Sequence, residues 1–218
     1  MLGLFAGDAS DRKVRLFLVA CARRDHARHF DNRSLPLFRL FGDAIDAGES
    51  YADGFESITR CEGLRNELLK EAATSPLVEA PCFADVGRAV LAWSCVPNAT
   101  ARAVEACCEL AGWYPNGTWG DPVFVATQTG EKREQSVLLR DIFGNPFHPT
   151  RFSTEWRTDT ALVLARQMYE SRDFSALPIL ADALQDAGCD SADILDHCRG
   201  PGPHVRGCWV VDLVLGKE

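Results

Sequence analysis

Apolar side chains recur three and four residues apart along most of this 218-residue chain. They fall in short runs that tend to open on Ser or Thr and close on Gly or Pro. That spacing lays one apolar face along a helix and leaves few places for the period of two that a strand needs. Ser10 is the N-cap expected for a helix from Asp11 to about Phe30. Its stripe is Val14, Phe17, Leu18 and Cys21, with Arg12, Lys13, Arg15, Arg23, Arg24 and Arg28 largely on the other side. Ser34 opens a second helix through Leu35 and Pro36, with Leu37, Phe38, Phe41 and Ile45 on its apolar face and Gly48 or Gly54 as its end. Three more are expected over about Glu56–Thr74, Phe83–Val96 and Thr100–Ala111, stopped by Ser75-Pro76, by Pro97 and by Gly112.

The pattern then breaks. Residues 112–122, GWYPNGTWGDP, read as a long loop, and Pro122 to Thr127 as a short strand or extended arm. Helical signals return over Glu131–Phe143, Thr158–Arg172, Ala176–Ala187 and Ala192–Arg199. The last run, His204 to Leu215, is apolar nearly all round and fits a buried helix or a central strand. Helix is favoured, because its neighbours are helical and strand partners are missing. The expected fold is therefore mainly α: a packed helical bundle with a helix-hairpin C-terminal part and one long loop or short β arm. We expect a single domain over 1–218. If there are two units, the natural cut lies in 112–130, separating N-terminal helices at 1–111 from a C-terminal helical subdomain at 131–218.

Composition narrows the function classes. Hydrophobic residues make up 46% and charged residues 25%, which argues against a disordered chain. No run of about 18 apolar residues could cross a membrane. The start, Met1 to Asp8, lacks the basic lead and apolar core of a secretory leader, so a cytoplasmic chain is expected. A net charge of -8 disfavours broad binding to nucleic acid or to an anionic membrane. Nine cysteines cannot all pair within the chain, and none forms a Cys-x-x-Cys step. In a reducing compartment most of them are expected to pack as small hydrophobes.

The densest chemistry lies near the C-terminus, where Cys189, His197, Cys198, His204 and Cys208 fall within twenty residues. Zinc takes four nitrogen or sulfur donors in a tetrahedron, and His204 and Cys208, four apart, would share one face of a helix. The bland alternative is that the cysteines pack while the histidines cap helix ends. Arg199 and Arg206 flank a Gly-Pro turn ahead of a helix, a place for an anion that a carboxylate of the protein itself fills equally well. Trp113, Tyr114 and Trp119 in the long loop could line a partner surface or plug the loop onto its own core. His26 and His29 sit three apart on the first helix, more in keeping with a solvated face than with a metal pair.

Three stretches look familiar together: SDRKVRLF at 10–17 with ACARR at 20–24, LLRDIFGNPF at 138–147, and LPILADAL at 177–184 running on to HCRGPGPHVRGCW at 197–209. The chain resembles an uncharacterised bacterial paralogous family carrying these motifs. The match covers the first thirty or so residues and most of 136–218. In that family the Arg pair of the first motif usually follows two cysteines, and here Ala22 replaces the second. An Ala-rich helical stretch usually precedes the second motif, where this chain has its Trp/Gly/Pro loop. The resemblance implies a cytoplasmic, mainly helical bacterial domain and brings no activity or catalytic residues.

Without a catalytic motif, the leading expectation is a non-catalytic interaction or regulatory module with a protein partner, no cofactor, no nucleic acid and no membrane. Arg140, Arg199, Arg206, Trp113 and Trp119 are its candidate anion- or partner-binding residues. The alternative is a structural zinc protein using Cys189, His197, Cys198, His204 and Cys208. A third reading is an enzyme with a site around Arg140, Asp141, His197, His204 and Arg206.

Overall fold

The computed structural model describes residues 10–28, 35–77, 79–92, 97–113 and 121–217. Among them are ten α-helices and no strand, so the fold is a mainly α packed bundle. The helices are α1 (Asp11–Arg28), α2 (Pro36–Ala52), α3 (Ile58–Thr74), α4 (Ala80–Val90), α5 (Pro97–Trp113), α6 (Pro122–Phe143), α7 (Asp159–Ser171), α8 (Leu177–Asp186), α9 (Ala192–Arg199) and α10 (Trp209–Leu215). A turn of 3-10 helix at Thr154–Trp156 precedes α7. No described helix is long and apolar enough to cross a membrane. The chain divides into two compact units, 1–136 and 137–218, with the division inside α6.

In the first unit α1 packs on α2, α4 and α5, and α3 closes against α2 and α4. Phe83 of α4 meets Phe38 and Phe41 of α2 edge to face at 4.8 and 4.9 Å, the arrangement that ring quadrupoles favour. Helix α1 corrects the expectation of one apolar and one charged side. Its middle, Arg15 through Ala22, is buried all round. The charges are folded inward: Arg15 donates to the Val90 carbonyl at 2.6 Å and lies over the Tyr51 ring, while Arg23 pairs with Asp46 and Glu49.

Several ends follow the expected chemistry. The Ser10 hydroxyl accepts from the Lys13 amide, and Ser57 and Thr158 cap α3 and α7 in the same way. Others differ. Helix α2 ends just before Gly54 and not at Gly48, which is buried in the helix against Val90. Helix α4 starts at Ala80, with Pro81 in its first turn, and ends at Val90. Pro97 opens α5 instead of stopping α4, and Gly112 lies inside α5 over the Phe124 ring.

The largest correction concerns 122–127. No strand or arm forms there; Pro122 begins a helix of 22 residues. Pro is preset for a first helical turn, and the Asp121 carboxylate accepts the Phe124 amide at 2.6 Å. These capping signals outweigh the weak strand preference of Val123, Phe124 and Val125. Residues 114–120 of the expected loop lie outside the described residues.

In the second unit α7, α8, α9 and α10 surround a core that includes Met168, Leu180, Ile194, Val210 and Val214. Helix α10 begins at Trp209, so the choice between helix and strand for the last run resolves as helix only beyond Cys208. Residues 204–208 are turn and irregular chain.

Candidate metal centre

Four side chains of the second unit converge on one point. Asp141, His197, His204 and Cys208 each offer a donor atom, and all four atoms lie within 4.8 Å of one another. Asp141 sits in the last turn of α6, just ahead of the stop at Gly144. His197 comes from the last turn of α9. His204 follows the turn at Gly202, whose φ of +73° suits glycine and where a Cβ would press on the His204 amide and ring at 3.1 and 3.2 Å. Cys208 is the N-cap residue of α10. Three helix ends and one turn thus supply one donor each.

The distances are those of a polar cage. His204 Nδ1 lies 2.7 Å from Asp141 Oδ1, and His197 Nε2 lies 3.2 Å from both Asp141 Oδ1 and Cys208 Sγ. In a zinc tetrahedron with bonds near 2.0 Å to N or O and 2.3 Å to S, neighbouring donors stand about 3.3–3.6 Å apart. The contacts to Asp141 Oδ1 and from His197 to Cys208 are slightly shorter than these, while the group as a whole spreads to 4.8 Å. The other Asp141 oxygen accepts the Val205 amide at 2.9 Å. The two imidazoles meet edge to face at 4.9 Å, and Trp209 lies against His197 at 5.1 Å. Asp141 and Cys208 are buried and both histidines half-buried. His204 Nε2 is buried without a hydrogen-bond partner.

Electrostatics sharpen the picture. Burial works to raise the Asp141 carboxyl, but hydrogen bonds to His197, His204 and the Val205 amide outweigh it and hold the group below its ordinary range. Burial, then the Asp141 charge, pushes the Cys208 thiol far up. An anionic carboxylate and a thiol that loses its proton only with difficulty face two imidazoles, so the centre of the group favours a cation.

The other candidate residues sit elsewhere. Cys189 and Cys198 belong to the apolar core of this unit, outside the four-donor group. Arg199 is taken by Asp182 and Gln185, at 2.8 and 2.7 Å. Arg206 donates to the Tyr169 carbonyl and lies over that ring. The Asp141 carboxylate accepts the Val205 amide, two residues beyond the Gly-Pro turn. Arg140 faces solvent. Trp113 closes α5, but its side chain lies outside the described residues, as does all of Trp119. His204 and Cys208 do not share a helix face, because no helix spans them. Asp141 stands in the expected enzyme set and is missing from the expected metal set. Only its place directly before the Gly144 stop, at the end of an apolar stripe, hints that it turns inward.

Comparison with known protein families, with curated proteins and with solved structures finds no match for this chain.

Proposed function

We propose that the C-terminal unit binds one divalent transition-metal ion of the zinc class through Asp141, His197, His204 and Cys208. The observation that carries this reading is the approach of four chemically suitable donors within 4.8 Å of one another. An ionised carboxylate and a thiolate neutralise a divalent ion, which a buried site requires. Four protein donors leave no open position, so the role is structural: the ion ties the end of α6 to α9 and to the start of α10. The thiol must lose its proton on binding, so affinity rises with pH.

A nucleophilic Cys208 with His197 as its base is the weaker alternative. The same nitrogen of His197 faces both the thiol and Asp141, whereas a triad uses one nitrogen for each. The thiol is also fully buried and hard to ionise. The interaction module favoured by the sequence stays a separate proposal, and its aromatic anchors fall outside the described side chains.

Cobalt(II) titration of the reduced 218-residue chain tests the metal reading. We expect one equivalent bound, with tetrahedral visible bands and a thiolate charge-transfer band that Cys208→Ser abolishes. Binding of less than about a tenth of an equivalent, or a charge-transfer band indifferent to that substitution, refutes it.

A further inference from the structure

The first unit contains its own buried polar layer. Asp25 of α1 and Glu131 of α6 both have fully buried carboxylates, and both are held by one guanidinium. Arg28 Nη1 donates to Asp25 Oδ1 at 2.7 Å, and Nη2 donates to Glu131 Oε2. Arg24 reaches Glu131 at 3.4 Å but divides its charge with the half-exposed Glu134, 3.3 Å away. Asp25 Oδ2 and Glu131 Oε1 are buried with no hydrogen-bond partner.

The surroundings supply few compensating charges. From α1, Cys21 faces the pair; from α5 come the thiols of Cys107 and Cys108; from α6 come Lys132, Glu134 and the neutral Gln135. On the α2 side, Asp46 and Glu49 are taken by Arg23, and His26 packs against Phe41. Two buried carboxylates therefore share one close guanidinium, the half-buried Arg28, with Arg24 at the edge of reach of Glu131 only. A buried carboxyl beside a like charge holds its proton above the ordinary carboxylate range. Burial first, then the charge of Glu131, pushes Asp25 up to about 8 against the charge of Arg28 and hydrogen bonding to Cys107 and Arg28.

This layer matters because of where it sits on α6. Within the first unit the buried positions of α6 are Phe124, Glu131 and Gln135, seven and four residues apart and thus on one face. Apolar side chains ordinarily stand at such positions. Here Phe124 lies under Gly112, and the rest of the seam is polar, with Gln135 bonded to the Val104 carbonyl and to the Cys108 thiol. We propose that the buried Asp25 carboxyl carries a proton at neutral pH, and that this proton latches residues 122–136 onto α1 and α5 until alkaline pH removes it.

The sign follows from linkage. A carboxyl raised on folding contributes stability that is complete below about pH 4, its unfolded value, and is lost as pH rises through about 8. With a midpoint near 8, the latch weakens about tenfold between pH 7 and pH 9. Two measurements on the full chain test it. Hydrogen exchange, corrected for intrinsic rates, should show protection of 122–136 falling about tenfold over that interval relative to α3, and Asp25→Asn should remove the dependence. Infrared spectroscopy at pH 7 should show a protonated carboxyl that titrates near 8 and is missing from Asp25→Asn. Glu131→Gln should likewise flatten the pH dependence if Asp25→Asn fails to fold. If both variants unfold, the infrared titration of the wild-type chain decides alone. The proposal is overturned by the absence of a protonated carboxyl at pH 7, or by a variant that keeps the wild-type pH profile.

Discussion

The same substitution at two helical glycines should move stability in opposite directions. Gly48 lies inside α2, where an added Cβ would stand 2.2 Å from Val90 Cγ1 and 3.0 Å from the Val90 carbonyl oxygen. Neither neighbour yields easily. Val90 is fully buried and β-branched, and its carbonyl is held by Arg15 at 2.6 Å. Overpacking of this kind costs up to about 3 kcal/mol, against about 1 kcal/mol recovered by replacing Gly with Ala in a helix interior. Gly48→Ala should therefore destabilise the chain by about 2 kcal/mol. Gly63 lies inside α3 with nothing within 4 Å of the added atom. There only the helix-propensity gain remains, and Gly63→Ala should stabilise by about 0.5–1 kcal/mol. Urea unfolding followed by circular dichroism separates the two. With a slope near 2 kcal/mol/M, the midpoint should fall by about 1 M for the first variant and rise by about 0.3–0.5 M for the second. A Gly48→Ala protein as stable as the wild type would refute the close approach of α2 to α4. A Gly63→Ala protein less stable than the wild type would refute the open surface of α3.

Phe83→Leu should cost about 1–3 kcal/mol in the same assay, since it removes two edge-to-face contacts and leaves a small void. Phe55→Ser, at a residue 82% exposed, should change stability by less than about 0.5 kcal/mol. Thr158→Ala removes the side-chain cap on the Ala161 amide and should cost about 1 kcal/mol, with Thr158→Ser recovering most of it.

Helical class and most helix bodies were legible because they rest on local rules: apolar spacing, caps and stops. The errors arise where a local signal has two readings. Gly48 reads as a helix end from chain alone, yet it is needed where Val90 crowds the backbone. Pro97 reads as a stop and Pro122 as the start of a strand or extended arm, yet each opens a helix. The metal candidates were legible only in part, because Asp141 lies far along the chain from His197, His204 and Cys208, with no fixed spacing to link them. Cys189 and Cys198 look like ligands by proximity in sequence but fill the core. The acid pair gives no warning at all, since Glu131 is ordinary in a helix until its face is known.

The eight described cysteines are all buried, and none is in a disulfide. Burial also raises each of their pKa values, so the native thiols are shielded from alkylating reagents twice over, by access and by charge state. Five lie in the first unit and three in the second. The chain thus carries an internal clock for each unit: where labelling outpaces reclosing, the rate at which a thiol reagent marks each set is the rate at which that unit opens, read by peptide mass.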